Sequence, residues 1–140
     1  SPSEINLEIT ESAMVYSINT MRSVMEELTK DGFSFALDDF GTGRANLSYL
    51  QNFPFRIIKV DKSFLWADGE SEDNHVIFEN MLSLIRGLRR EAVAEGVETK
   101  EQRDMLISHG VEYLQGFYYS KPVPEQEFMK YLEEFEAAKQ

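Results

Sequence analysis

The feature that most constrains the fold of this chain is a regular alternation of short strand-like segments with longer helix-like segments. Residues 5–10 alternate apolar with polar side chains, a period of two that predicts a strand. Residues 17–31 carry apolar side chains at helical spacing and end before Gly32, a residue typical of the position after a helix. The two patterns repeat and predict strands at 5–10, 33–38, 56–60, 92–95 and 113–116, and helices at 17–31, 46–50, 73–90, 99–109 and 124–138.

Strands that are separated by helices form βα units, so the pattern predicts an α/β fold with a parallel sheet. The chain has 140 residues, which is the length of one domain. Residues 39–43 are expected to form a polar turn after the second strand. The last helix carries Phe128, Leu132 and Phe135 on one side, and we expect these rings and this leucine to pack inward.

Polar side chains stand at or near the carboxyl end of each predicted strand. The five residues are Glu8, Asp38, Lys59, Glu95 and Gln115. In a parallel α/β sheet or barrel the carboxyl ends of the strands form the edge at which ligands bind. Polar groups at this edge cost stability, and the repetition on all five strands therefore predicts a functional site there.

The acidic residues of this edge suit a hard divalent cation. Mg²⁺ and Mn²⁺ prefer oxygen ligands, and a two-metal site needs several carboxylates that converge. The candidates are Glu8, Asp38, Glu95 and Asp39, which directly follows Asp38. A lysine that points into such a cluster can bind phosphate oxygens or orient an attacking water. The alternative is that the acidic residues are simply solvated at the mouths of loops.

Composition excludes several classes of function. The formal net charge of −11 argues against binding to a DNA or RNA duplex, and an anionic ligand would need cations brought in with it. The chain has no cysteine, which excludes disulfides and thiolate metal sites and fits a reducing, cytoplasmic location. Residues 40–43 are too short for a phosphate loop and lack its lysine. His75 and His109 are interpreted as ordinary histidines on the surface or at a helix end.

Five segments resemble the successive motifs of the EAL domain, the family of bacterial cyclic di-GMP phosphodiesterases. They lie at residues 7–12 (LEITES), 38–43 (DDFGTG), 58–61 (IKVD), 94–99 (AEGVET) and 115–116 (QG), in the family's order and spacing. The resemblance implies a modified TIM (β/α)8 barrel, of which the chain would supply about five βα units. The Glu-x-Leu segment that names the family, and a metal-binding Asn, would precede residue 1. We therefore expect residues 1–140 to be a C-terminal part of an EAL domain.

The resemblance also implies roles for the residues of the carboxyl edge. It assigns two Mg²⁺ or Mn²⁺ ions to ligands among Glu8, Asp38, Asp39 and Gln115. Glu95 would be the general base at the metal site, and Lys59 would contact the attacking water or the phosphate. The implied reaction is hydrolysis of cyclic di-GMP to the linear dinucleotide pGpG.

Further roles concern the loop after the second strand. The resemblance implies that Glu11 anchors this loop and that Glu98 supports the site from outside the ligand set. It assigns substrate contact to Gly41, Thr42, Gly43 and Arg44. Arg44 departs from the family pattern, which usually has an aromatic residue there, and this difference is expected to alter the loop's ligand contacts.

Two other functions stay open at this point. The chain could belong to a non-catalytic receptor for cyclic di-GMP, or to a module that only interacts with other proteins. Because the Glu-x-Leu segment and the metal-binding Asn would precede residue 1, each divalent ion would lack protein ligands, and we expect the chain by itself to be inactive. We also expect it to associate as a homodimer or through its open sheet. Sensory or GGDEF-type domains could precede it in the protein.

Overall fold

Five parallel strands, paired in the order in which they occur along the chain, form one sheet in the computed structural model of this protein. The structure describes residues 1–10, 12–13, 18–42, 47–65 and 72–138. The strands are β1 (Asn6–Thr10), β2 (Ser34–Phe40), β3 (Phe55–Val60), β4 (Glu91–Ala94) and β5 (Tyr113–Leu114). The helices are α1 (Ile18–Lys30), α2 (Leu47–Asn52), α3 (Lys62–Leu65), α4 (Glu72–Gly87), α5 (Lys100–Ser108) and α6 (Glu125–Ala137), and a 3₁₀ turn covers Pro2–Glu4.

The α/β class and the parallel sheet are confirmed, and each predicted strand and helix is present with bounds shifted by a few residues. A capping box begins α5: the Thr99 side chain accepts from the backbone amide of Gln102 at 3.2 Å. Helix α3 was not predicted, because four residues are too few to show a helical period. Its first turn is held by Asp61, whose Oδ1 accepts from the Ser63 amide at 2.8 Å. Within the described residues, none of the helices combines the length and apolar character needed to cross a membrane.

The centre of the sheet is covered on both faces. Three consecutive residues of β2, Phe35, Ala36 and Leu37, are buried although their side chains alternate between faces. Burial on both faces is typical of parallel sheets flanked by helices. Helix α4 supplies part of this cover through its buried Phe78 and Leu82. This packing fixes the strands whose carboxyl ends carry the polar residues.

The expectation that α6 packs inward is wrong. Phe128, Leu132 and Phe135 are 49%, 36% and 50% exposed, and α6 contains no buried residue. The amphipathic pattern correctly predicted a helix, but a pattern of side chains does not specify what covers its apolar side. In the described part of the chain this side of α6 faces solvent.

The loops that follow β4 and β5 lie against each other at Gly116. The Val97 amide donates to the Gln115 carbonyl at 3.0 Å, and the Tyr118 amide donates to the Val97 carbonyl at 2.9 Å. A Cβ atom on Gly116 would lie far inside van der Waals contact with the backbone of Val97. Glycine is required here by this close approach, and the approach fixes the segment that carries Glu95 relative to Gln115.

We expect Gly116→Ala to lower the free energy of unfolding by about 3 kcal/mol, since the clash is with backbone that cannot rotate away. Gly87→Ala is the matched control, because a Cβ there meets nothing within 4 Å and the residue ends α4. Alanine has the higher helix propensity, so the control is expected to be neutral or slightly stabilising. Urea unfolding of both variants checks this, and equal midpoints would contradict the close approach at Gly116.

Candidate metal site at the carboxyl edge of the sheet

The ammonium of Lys59 lies at the centre of the polar residues at the carboxyl edge. Lys59 is 4% exposed, and its Nζ lies 2.9 Å from Glu8 Oε2 and 2.8 Å from Glu95 Oε1. Asp38 Oδ1 is 3.2 Å from the same nitrogen. Three carboxylates therefore lie within ion-pair distance of one ammonium. Lys59 lies on β3, Glu8 on β1, Asp38 on β2 and Glu95 directly after β4, and one cation therefore joins four neighbouring strands.

The same contacts set the charge states of Lys59 and Glu95. Burial by itself would lower the pKa of Lys59, but hydrogen bonds to Glu95 and Glu8 outweigh burial and raise the pKa above its usual value. Burial raises the pKa of Glu95 above its usual value, against the opposing hydrogen bond and charge of Lys59. The negative charge of Asp38 adds to this upward shift. Lys59 is therefore a permanent cation, and Glu95 is a carboxylate that binds a proton more readily than usual.

A bulge in β2 brings two adjacent aspartates to one site. From Leu37 to Phe40 strand β2 advances by three residues, while the paired residues of β3, Ile58 and Val60, are only two apart. The extra residue lies in the Asp38–Asp39 step, and Asp39 has a φ of 57°, in the left-handed region. Strand β2 continues through Phe40, and the turn predicted at residues 39–43 overlaps its end, since the Thr42 amide donates to the Asp39 carbonyl at 3.1 Å. In a regular strand the two side chains would point to opposite faces.

Two hydrogen bonds from Thr42 to the Asp39 carbonyl fix the backbone that follows the bulge. Thr42 donates to this oxygen from its amide at 3.1 Å and from its hydroxyl at 2.8 Å. Gly41, between them, has a φ of 93°, and a Cβ there would lie 2.9 Å from the ring of Phe64 on α3. These contacts stabilise the unusual conformation of Asp39, which costs roughly 1 kcal/mol in a residue other than glycine.

The bulge produces a set of oxygens that fits a divalent cation. Carboxylate oxygens of Asp38, Asp39 and Glu95 all lie within 4.8 Å of one another. Asp38 Oδ1 is buried and accepts no hydrogen bond, since its position near Lys59 allows an ion pair but not hydrogen-bond geometry. An unsatisfied buried oxygen beside two further carboxylates is a ready ligand for a hard cation such as Mg²⁺ or Mn²⁺. Lys59 offsets only one of the negative charges.

Two further predicted site residues, Gln115 and Glu98, lie in the described part of the chain. Gln115 follows β5 and is exposed. Its backbone amide donates to the Ala94 carbonyl at 2.9 Å. The residue also lines a surface depression of about 410 Å³, together with Phe117 and Phe128. Glu98 is exposed, and its amide donates to Gln102 Oε1 at 2.7 Å at the start of α5.

Three of the residues assigned to the loop lie outside the described part of the chain, and their roles stay predictions. They are Glu11, Gly43 and Arg44. Gly41 and Thr42 are described, and both are exposed directly after Phe40 at the end of β2. The bulge itself was missed, because the run Asp-Asp-Phe-Gly-Thr-Gly at residues 38–43 is equally typical of a turn.

The chain is similar to known proteins over most of its length. The family model of the EAL domain matches residues 1–122. The chain is 44% identical over 123 residues to the cyclic di-GMP phosphodiesterase PdeL of Escherichia coli K12. The aligned residues make up 88% of this chain and 34% of PdeL.

Solved structures resemble the chain over almost its whole length. The EAL domain of Mycobacterium smegmatis DcpA matches with a TM-score of 0.86 and 36% identity, over 94% of this chain and 59% of that one. A Klebsiella pneumoniae BlrP1 complex with manganese and cyclic di-GMP matches with a TM-score of 0.77 and 34% identity, over 86% and 31%. The chain thus spans between about a third and three-fifths of these relatives, and its five-stranded sheet corresponds to part of their barrel-like fold.

We expect Lys59→Met to lower the free energy of unfolding by about 3 kcal/mol in the absence of divalent cations, because it removes the charge that offsets Glu8, Asp38 and Glu95. Added Mg²⁺ should restore part of this loss by binding to the carboxylates that are left. The control is Lys130→Met, whose lysine is exposed on α6 and pairs with Glu134 at 3.8 Å, for which a change below about 1 kcal/mol is expected. Urea unfolding with and without Mg²⁺ is the measurement, and equal losses in the two variants would refute the role of Lys59.

Proposed function

The chain belongs to the EAL domain family, and from that premise we propose that it carries metal-binding and catalytic residues of a cyclic di-GMP phosphodiesterase. The relative PdeL is named as such an enzyme, and the similar BlrP1 structure is a complex with manganese and cyclic di-GMP. The observation that carries the proposal is the bulge in β2, which directs Asp38 and Asp39 toward Glu95 beside the ammonium of Lys59. This arrangement supplies the oxygen ligands that phosphodiester hydrolysis with divalent cations requires.

The proposed metal ligands are the carboxylates of Asp38 and Asp39, with Glu8 and Gln115 completing the set. Two bound Mg²⁺ or Mn²⁺ ions would neutralise the phosphate and lower the pKa of an attacking water. Asp38 Oδ1 is the strongest candidate, because this buried oxygen has no hydrogen bond in the described structure. Glu8 is 48% exposed on its side chain and is already paired with Lys59, so cation binding at Glu8 would compete with that ion pair.

Glu95 is the proposed general base. Its Oε1 is engaged by Lys59 at 2.8 Å, which leaves the other carboxylate oxygen to accept a proton from water. Burial raises the pKa of Glu95, and this shift favours proton uptake by the carboxylate. Lys59 orients Glu95 and holds positive charge near the position of the phosphate. Attack by the water on phosphorus, with departure of the ribose 3′-oxygen, opens the ring and gives linear pGpG.

The loop after β2 is proposed to contact the substrate. Gly41 and Thr42 emerge from the bulge directly beside Asp39, and Thr42 fixes the Asp39 carbonyl through two hydrogen bonds. A substrate contact in this loop would therefore act on the aspartate conformation through Thr42. Arg44, Gly43 and the anchor Glu11 are assigned to the same loop by the family motifs alone.

The complete site is proposed to include residues beyond those described. The chain spans 34% of PdeL, so the activity and the partners belong to a larger domain. Cyclic di-GMP is the proposed small-molecule partner, and homodimerisation or association through the open sheet stays a prediction. The apolar side of α6, with Phe128 and Phe135, is exposed, and a homodimer contact would cover it as well.

We expect Asp38→Asn and Asp39→Asn, each made in the full-length protein, to reduce hydrolysis of cyclic di-GMP by at least about 100-fold at saturating Mg²⁺, because each removes a charged metal ligand. Chromatographic detection of pGpG measures the rate. The control is Asp31→Asn, an exposed aspartate after α1 that is expected to leave the rate unchanged.

Two results would contradict the proposal. If either variant at position 38 or 39 kept a rate within tenfold of the parent, the two aspartates would not be metal ligands. If the parent bound cyclic di-GMP but released no pGpG with Mg²⁺ or Mn²⁺, a receptor function would replace the enzymatic one.

A further inference from the structure

A second group of metal-ligating side chains joins α4 to the end of α5. We call this the histidine cluster; it consists of His75 and Glu79 on α4 and His109, the residue that follows α5. One ligand atom from each of the three side chains lies within 4.8 Å of the other two. None of the three belongs to the residues that surround Lys59, and none is assigned a role by the EAL motifs.

The spacing along α4 places two of the ligands side by side. His75 and Glu79 are four residues apart, a separation that puts both side chains on the same side of a helix. The rings of His75 and His109 meet edge to face with centroids 5.5 Å apart. Glu79 Oε1 lies 2.7 Å from His109 Nε2. Helix α4 thus presents one imidazole and one carboxylate toward a second imidazole.

The His109 ring is held in the orientation that a ligand needs. Its Nδ1 lies 2.7 Å from the Met105 carbonyl oxygen and its Nε2 faces Glu79; a cation that replaced the proton between Nε2 and Glu79 would leave Nδ1 as the donor to that carbonyl. Metal-binding histidines commonly donate their second nitrogen to a backbone carbonyl in this way, which fixes both the tautomer and the ring. The edge of the Phe78 ring packs against the imidazole with centroids 5.9 Å apart.

The backbone at His109 is tied to α4 as well. Arg86, near the end of α4, donates from one nitrogen to the His109 carbonyl and to the Gly110 carbonyl, the latter at 2.9 Å. The main chain that carries His109 is therefore fixed relative to the helix that carries the other two ligands. Two side chains of the cluster are free to adjust, since His75 is exposed and the Glu79 side chain is 42% exposed.

We propose that the histidine cluster is a binding site for Zn²⁺ or a similar borderline transition-metal cation, with three protein ligands and one water. Tetrahedral Zn²⁺ with bonds of about 2.0 Å needs ligand atoms roughly 3.3 Å apart. The separation between Glu79 and His109 must open by about 0.6 Å and His75 must move inward, which rotation of the exposed side chains allows. His109, the constrained member, does not need to move.

The donor set distinguishes this site from the carboxyl edge. Imidazole nitrogens favour Zn²⁺, Cu²⁺ or Ni²⁺, whereas Mg²⁺ and Mn²⁺ favour the all-oxygen set of Asp38, Asp39 and Glu95. A cation at the histidine cluster would link α4 to the end of α5 and stabilise the cover of the sheet. The alternative is that Glu79 and His109 form only an ion pair, with His75 packed beside it.

The test is Zn²⁺ binding to the purified full-length protein in excess Mg²⁺, which occupies the oxygen ligands. Calorimetry is expected to show one Zn²⁺ per chain and thermal unfolding a higher melting temperature on Zn²⁺ addition. His75→Asn, which changes an exposed residue, is expected to weaken Zn²⁺ binding at least about tenfold, since loss of even an outer contact of a metal site costs this much. Glu79→Gln should act in the same direction, and the exposed Glu133→Gln on α6 is its matched control.

Asp39→Asn separates the two sites, because it should leave Zn²⁺ affinity unchanged. Co²⁺ in place of Zn²⁺ should give the visible absorption of a tetrahedral complex in the parent and lose it in His75→Asn. The proposal is overturned if the parent binds no Zn²⁺ in excess Mg²⁺, if His75→Asn binds Zn²⁺ as tightly as the parent, or if Asp39→Asn removes the binding.

Discussion

The buried ammonium of Lys59 is the interaction on which the site depends. An ammonium taken out of water costs several kcal/mol unless it is paired, and here the pairing carboxylates come from three other places in the sheet. The side chains of Glu8 and Glu95 reach Lys59 only if β1, β2, β3 and β4 keep their register. The requirement to neutralise one cation and the requirement to gather metal ligands are therefore met by the same strand alignment, and neither can change without the other.

The sequence allowed the sheet, its helices and the polar carboxyl edge to be predicted, because hydrophobic periodicity reports which faces are buried. Asp38, Lys59 and Glu95 were named as site residues on that basis, and the structure brings them together. The sequence did not allow the bulge to be predicted, because the position of one extra residue depends on pairing with β3, which local composition does not encode. The exposure of α6 was missed for a related reason: periodicity indicates an apolar side but not its partner. The histidine cluster was missed because His109 is far from His75 in sequence and meets it only through helix packing.

The chain thus carries two groups of ligands with different chemistry on different parts of one fold. Asp38, Asp39 and Glu95 stand where parallel strands end, the usual place for function in α/β folds. His75, Glu79 and His109 stand in the helical layer, where side chains ordinarily serve packing. Because one group is all oxygen and the other is mainly nitrogen, the oxygen group suits Mg²⁺ or Mn²⁺ and the nitrogen-containing group favours Zn²⁺ over them. With a cation at each group, the metal content of the protein would depend on two separate equilibria.

The bulge at Asp39 makes the site sensitive to chain length rather than only to composition. A substitution at this position alters one side chain, but deletion of a single residue between Leu37 and Phe40 removes one aspartate and leaves the opposite register shift of β3, between Phe55 and Ile57, without its compensation. Only one of the two neighbouring carboxylates would then be left at the site. Homologous sequences that lack one residue in this step should therefore be read as having lost the site, even where both flanking segments are intact.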